Sequence, residues 1–270
     1  MRILATGVAG GVGKVVTPHL MSIGHNVRGF DRLVPPFELA DMVIGDVRQG
    51  DDLIAAARGC SAVLHMAAIP GNRPPFDELL QINLIGVFNA LAAAEAVGMT
   101  HIVNFSSICA TGILSEPPMP VPALPYSEAM DAAPADCYGM GKLMGEVLCR
   151  GHQLRLPETS VRCLRPGLVV HDDSAAAMSL EFPNAVSFSG DIADAVARCL
   201  ESAPGFGVYH ATSRRRYTKE GAMLTPDQLR DDLMVHGVDP AIADECYLGG
   251  EMGVYDISAA EKDLEWSPRW

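Results

Sequence analysis

A tyrosine four residues ahead of a lysine, Tyr138-Gly139-Met140-Gly141-Lys142, is the pair in this sequence best suited to moving a proton. On a helix that spacing sets both side chains on one face. A phenol with an ordinary pKa of ~10 is a poor base at neutral pH. A neighbouring ammonium favours the phenolate, so Lys142 is expected to lower the pKa of Tyr138 and make it a usable acid/base. The sequence Asn104-Phe105-Ser106-Ser107 closes an apolar run, and hydroxyls there could hold a substrate oxygen while Tyr138 exchanges its proton. Serines that merely turn the chain are the plain alternative.

A second kind of chemistry is written near the N-terminus. Gly7, Gly10 and Gly13 are spaced G-x-x-G-x-x-G in TGVAGGVG. Such glycines permit a tight turn and let backbone N–H groups approach a pyrophosphate at a helix N-terminus. A bare strand-to-helix turn would look similar. Asp31, eighteen residues past Gly13, adds the missing part: a carboxylate there accepts from the ribose hydroxyls and repels a 2′-phosphate, favouring NAD over NADP. Arg32 beside it is the one residue that could accommodate that phosphate.

The elements that must position these residues follow from the hydrophobic pattern. Strands are predicted over 2–6, 26–30, 42–45, 62–66, 101–105 and 160–165, and helices over 11–22, 51–58, 76–97 and 138–152. The alternation argues for βαβ units, hence an α/β doubly wound parallel sheet, a Rossmann fold, over residues 1–170. Residues 171–270 are expected to form a small, reduced C-terminal substrate part. It interleaves with the core through 190–211, with helices over 191–201 and 226–235 and a strand over 207–211. Five prolines in Glu116–Pro125 exclude a helix or central strand there. The 76–97 helix is apolar nearly all round and must be covered on more than one side.

Composition narrows the classes of function. Forty-nine per cent apolar and 20 % charged residues are ordinary for a globular chain. A net charge of −13 disfavours a nucleic-acid partner, since that binding runs on basic patches. The tight basic run Arg214-Arg215-Arg216 reads as a solvated loop. Seven scattered cysteines without a CxxC argue against zinc and disulfides and for reduced thiols in a cytoplasmic enzyme. Cys109 and Cys137 read as small apolar fillers, and His65 and His171 as structural residues. No metal site, signal peptide or membrane span is expected.

The motifs, in their order, resemble the extended short-chain dehydrogenase/reductases, the NAD-dependent epimerase/dehydratase family. The resemblance is carried by TGVAGGVG, Asp31, Gly45-Asp46-Val47, His65-Met66-Ala67-Ala68, Asn83, Ser106-Ser107, Tyr138/Lys142 and Leu164-Arg165-Pro166-Gly167. It covers residues 1–170 and resumes at 190–195 and in the closing LEWSPRW. It implies that Asp46 and Val47 lie against adenine, that Ala67 and Ala68 line the cofactor cleft, and that Pro166 and Gly167 approach the nicotinamide. Val12, Arg32 and Asn83 complete the implied cofactor positions, and Ser107 rather than Ser106 matches the catalytic hydroxyl.

Gly141 and Thr111 depart from the family pattern, and Ile108-Cys109 after Ser107 speaks against a 4,6-dehydratase. Only 24 residues separate Gly167 from Asp191, which leaves little protein to hold a nucleoside diphosphate and implies a small substrate. The compact branch similar in length, and in the run Pro75-Phe76 to Asn83, is that of the uronate dehydrogenases. The expectation is an NAD-dependent oxidoreductase of a sugar-like or uronate-like compound, with a sugar epimerase and a non-catalytic dinucleotide sensor as alternatives. A two-fold homodimer is expected through the 76–97 and 138–152 helices, which in the resembling family pair as a four-helix bundle.

Overall fold

The six strands predicted for the first 170 residues all form, and the strand predicted over 207–211 joins them as the seventh. The computed structural model describes residues 1–71, 75–115, 119–170, 185–214, 225–235, 238–248 and 253–269. The chain runs through β1 (Arg2–Thr6), α1 (Gly13–Ser22), β2 (Asn26–Asp31), β3 (Asp41–Ile44), α2 (Gly50–Ala57) and β4 (Ala62–His65). A long helical stretch follows, made of α3 (Phe76–Leu79), a π-helical turn (Leu80–Leu84) and α4 (Ile85–Val97). Next come β5 (His101–Phe105), a 3₁₀ turn (Ile108–Thr111), α5 (Cys137–Arg155), β6 (Ser160–Pro166) and β7 (Leu168–Val170). After β8 (Val186–Phe188), α6 (Ser189–Glu201) and β9 (Gly205–Ala211) lie α7 (Pro226–Val235), α8 (Pro240–Leu248) and α9 (Ser258–Leu264).

The main sheet has the order β3-β2-β1-β4-β5-β6-β9, with every pairing parallel. Alternate residues of its strands feed two separate cores. Ile3, Ala5, Leu64, Val103 and Leu164 pack with Val16 and Leu20 of α1 and with Ile192, Val196 and Leu200 of α6. Leu4, Val63, Ile102, Val161 and Cys163 face the other way, onto Leu53 of α2, Leu91 and Ala94 of α4 and Cys149 of α5. Strands apolar on both faces therefore demand helices on both, which is the doubly wound arrangement. Register aligns the carboxyl ends: Thr6 opposes Phe30 and His65, and Phe105 opposes Leu164. Ligands of open parallel sheets bind along that edge.

Residues 189–211 are part of this layer, since α6 covers one face and β9 is the edge strand. A third cluster joins the proline-rich loop to the C-terminal helices: Ile113, Leu124 and Tyr126 pack with Leu233, Val238, Val254 and Tyr255. Tyr126 pins the two together, its N–H donating to Val254 O at 2.7 Å and its carbonyl accepting from Asp256 N at 2.9 Å. The short β7–β8 pair and helices α8 and α9 were not expected from the sequence, because each is too short to show a period. Residue 171 and residues 215–216 of the basic run lie outside the described residues.

The Phe76–Val97 stretch is long and apolar enough to cross a bilayer, with mean hydropathy 1.5, yet half of that window is buried in the protein. Its buried amides have partners in neighbouring elements, Asn89 Nδ2 donating to Val47 O at 2.9 Å. Two glycines of α5 serve packing within the chain. A Cβ on Gly139 would meet Cys109 O and one on Gly145 would touch Val87, so these two admit the chain's own backbone and side chains. Both helices leave apolar side chains outside, Ile85 and Phe88 on α4 and Met144 and Val147 on α5, while the charged Glu95, Arg150 and Arg155 are exposed towards their C-terminal ends.

Candidate active site

A groove runs along the carboxyl edge of the sheet, divided by the glycine loop. Gly7 takes φ +76°, and a Cβ there would lie 2.6 Å from Ala67 N, so the loop and the β4 end approach as only glycine allows. Gly10 N donates to Gly7 O at 3.0 Å, and Val12 stands at the N-cap of α1. On one side lies a cleft of about 240 Å³ lined by Asp31, Arg32, Asp46, Val47, Ala67 and Ala68. On the other, about 350 Å³ is bounded by Val12, Gly13, Ser107, Tyr138, Lys142, Pro166 and Gly167. Thus every sequence-predicted site residue but Asn83 lines one half or the other.

The half lined by Asp31 and Asp46 is built from tethered carboxylates. Asp31 Oδ2 accepts from Ala9 N at 2.9 Å and Oδ1 from Leu33 N at 3.0 Å, so the loop after β1 and the turn after β2 are tied to one side chain. Asp46 is clasped by Arg48, whose Nε lies 3.0 Å from both oxygens. That hydrogen-bonded guanidinium holds the Asp46 carboxyl below its usual range. Asn83 sits in the π-helical turn with its amide spent on Ile69, accepting from N at 2.8 Å and donating to O at 2.9 Å. It shapes the loop that walls the cleft. Gly167 N donates to Ser187 Oγ at 2.8 Å, which fastens the Pro166-Gly167 turn to β8.

The other half gathers Ser107, Tyr138 and Lys142. Asp136 caps α5 by accepting from Gly139 N at 2.8 Å, fixing the turn that carries Tyr138. Ser107 is the N-cap of the 3₁₀ turn, its Oγ accepting from Cys109 N at 3.2 Å, and it hydrogen-bonds the Tyr138 side chain. Lys142 Nζ lies 5.7 Å from the Tyr138 ring centre and donates to Phe105 O at 2.7 Å. Burial brings Lys142 down to about 8. Tyr138 moves opposite to the sequence expectation: burial pushes its phenol up, Cys109 and Asp136 act the same way, and only the Ser107 hydrogen bond opposes them. The ammonium is anchored on the Phe105 carbonyl rather than on the hydroxyl. Burial also pushes up the Cys109 thiol beside Ser107, leaving it protonated rather than a nucleophile. Among the described residues no three His, Cys, Asp or Glu side chains form a metal cluster.

Sequence reasoning passed over Glu146, one turn beyond Lys142. Buried, it accepts from Ser106 Oγ and pairs with Arg165, Nη2 to Oε2 at 2.7 Å and Nε to Oε1 at 2.8 Å. The i,i+4 step from Lys142 to Glu146 was the available signal.

The description of the NAD dependent epimerase/dehydratase family matches residues 3–171. The chain is 32% identical over 151 residues to a uronate dehydrogenase of Agrobacterium fabrum, a match covering 55% of this chain and 54% of the relative. It is 32% identical over 167 residues to a UDP-glucose 4-epimerase of Mycolicibacterium smegmatis, covering 54% and 50%. These matches span about half the length of each relative. A solved short-chain dehydrogenase/reductase superfamily protein from Agrobacterium tumefaciens, with bound NAD, superposes with a TM-score of 0.76. It is 21% identical, and the match covers 100% of this chain and 93% of that one.

Proposed function

This chain belongs to the NAD dependent epimerase/dehydratase family, and from that premise we propose that it is an NAD-dependent oxidoreductase of a small sugar-like or uronate-like hydroxyl or carbonyl compound. The observation that carries this reading is the convergence of Ser107, Tyr138 and Lys142 beside a glycine loop and helix N-terminus. The groove suits the dinucleotide: backbone N–H groups of the α1 N-terminus for the phosphates, Asp31 for the adenosine ribose, and Val47, Ala67 and Ala68 for the adenine. When bound, NAD supplies the hydride acceptor or donor. Tyr138 Oη takes or gives the proton of the substrate oxygen, and Ser107 Oγ, already bonded to Tyr138, holds that oxygen. Lys142 binds the ribose and provides the positive charge that favours phenolate. Pro166, Gly167 and the C-terminal part enclose a small substrate.

The decisive assay follows formation of NADH from NAD and of NADPH from NADP across small polyols and uronic acids. Stoichiometric NADH release supports the dehydrogenase. Turnover with cofactor retained through gel filtration would support an epimerase instead, the reading favoured by the epimerase relative. Binding without any turnover would leave a sensor.

Asp31 sets the cofactor preference in this reading. Asp31→Ala should weaken NAD binding roughly tenfold or more, since hydrogen bonds to a charged group are worth about 1.5–3 kcal/mol, and should narrow the gap to NADP. Titration of both cofactors by calorimetry checks this. A wild-type preference for NADP would make Arg32 the governing residue and overturn the assignment.

The reading extends to a two-fold homodimer. Phe88 and Val147 stand 54% and 64% exposed on adjacent helices, with Ile85 and Met144 beside them. Exposed apolar patches of this kind mark interfaces, and a patch on α4 and α5 suits an isologous one. Light scattering at micromolar concentration should give about twice the 28.7 kDa chain mass, and Val147→Asp should halve it. A wild-type mass near one chain refutes the dimer. The six described cysteines are all free thiols, which fits a reducing, cytoplasmic compartment.

A further inference from the structure

Tyr138, Lys142 and Glu146 succeed one another at four-residue steps along one face of α5. Beyond Glu146 the row continues into the sheet. Arg165 grips both oxygens of Glu146, and Ser106, the residue before the one beside Tyr138, donates to Oε1. Lys142, Glu146 and Arg165 are 8%, 4% and 3% exposed. The result is a buried ladder of alternating sign that ends at the Tyr138 phenol.

We infer that Glu146 and Arg165 are positioning residues for the Tyr138/Lys142 pair: the Glu146 carboxylate, held by Arg165, keeps a positive charge on the buried Lys142. This rests on the proposed role of Lys142 in proton transfer. The physical need is plain. Taking an ammonium out of water strongly disfavours its charge; the bond to the Phe105 carbonyl offsets part of that, and a nearby anion offsets more. Lys142 faces Cys109 from the 3₁₀ turn, Cys163 from β6 and His65 from β4, with Glu146 on its own helix. Cys109 is a thiol that burial holds protonated, Cys163 one held protonated by its hydrogen bond with Cys149 and by burial, and His65 is neutral. Glu146 is therefore the standing anion acting on the ammonium. Arg165 in turn faces Glu128 and the neutral His210, and its Nη1 has no hydrogen-bond partner among the described residues. Arg165 orients Glu146 through two bonds, and Ser106 ties the same carboxylate to the strand end that presents Ser107.

The chain has four lysines, so the Lys142 side chain can be followed by carbon-13 NMR of labelled lysine, identified by its loss in Lys142→Met. In the wild type it should titrate near about 8. Glu146→Gln should lower that midpoint by about one pH unit, leaving about half of the amine neutral at pH 7. A folded Glu146→Gln protein with an unmoved Lys142 midpoint overturns the inference. Should Arg165 left unpaired unfold that variant, Glu146→Gln combined with Arg165→Met removes both buried charges, and the same downward shift is required of it. Turnover at pH 7 should fall about twofold with the shift. Full activity alongside a shifted Lys142 would instead count against the proposed role of Lys142, because the charge measurement stands apart from the reaction.

Discussion

Tyr138→Phe is expected to lower turnover by about 10²-fold or more while leaving NAD affinity nearly unchanged, because it deletes one proton-transfer group and little else. The phenylalanine ring keeps the volume beside Lys142 Nζ, and the α5 cap at Asp136 is untouched. What disappears is the oxygen that bonds Ser107 and meets the substrate. Lys142→Met should behave differently and damage both binding and turnover, since that side chain fixes the Phe105 carbonyl as well as supplying charge. Steady-state rates with calorimetric NAD binding separate the two patterns. Near-wild-type rates for Tyr138→Phe would remove the acid/base assignment. The raised phenol makes this test sharp: at neutral pH Tyr138 rests protonated, so it is ready to give a proton in carbonyl reduction. Alcohol oxidation needs the Lys142 charge to draw that proton off.

The parallel sheet was legible because its strands are apolar on both faces, a pattern that survives any error of a residue or two at their ends. The glycine loop was legible for a stricter reason. A Cβ on Gly7 would collide with the backbone of Ala67, so the residue type is dictated by a contact between two loops. The Tyr138/Lys142 pair could be found because helical spacing alone puts the two together. The sign of the Tyr138 shift could not, since it depends on how deeply the phenol is buried and on the Phe105 carbonyl that claims the ammonium. Asn83 shows the same limit. Its place in the motif marked it for the cofactor site, but its partner, the backbone of Ile69, follows from a π-helical turn that leaves no trace in hydrophobic period. Glu146 and Arg165 lie 19 residues apart on different elements, and only the packing of α5 on β6 makes them a pair.

Two buried histidines should make the protein lose stability well before its carboxylates titrate. His65 is 3% exposed with Nδ1 2.9 Å from Thr6 Oγ1, and burial, aided by the Lys142 charge, lowers it from 6.5 to about 3. His210 is fully buried on β9 with Nδ1 3.0 Å from Asp256 O, and burial with the Arg165 charge lowers it likewise to about 3. Above pH 6.5 both are neutral in folded and unfolded chains and stability does not depend on them. Between 6.5 and about 3 the unfolded chain binds the protons and the folded one does not, so stability falls as pH falls. At pH 5 each histidine accounts for about 2 kcal/mol, hence about 4 kcal/mol for the two. His25, His101 and His152 are lowered by burial as well and add in the same direction. The depressed carboxylates Asp41, Asp46 and Glu95 act only at lower pH, below their unfolded values of 3.8 to 4.5. Besides Glu128, whose carboxyl burial holds above its usual range, one effect opposes the trend: acidification reduces the net charge of −13 and its self-repulsion. A variant comparison removes it, because His210→Gln changes one titration and leaves the overall charge at pH 7 alone. Urea unfolding at pH 7 and pH 5 should show a large drop for the wild type and a drop smaller by about 2 kcal/mol for His210→Gln. Equal drops in the two proteins would mean that His210 takes up its proton without unfolding, and that the buried ring is not held neutral.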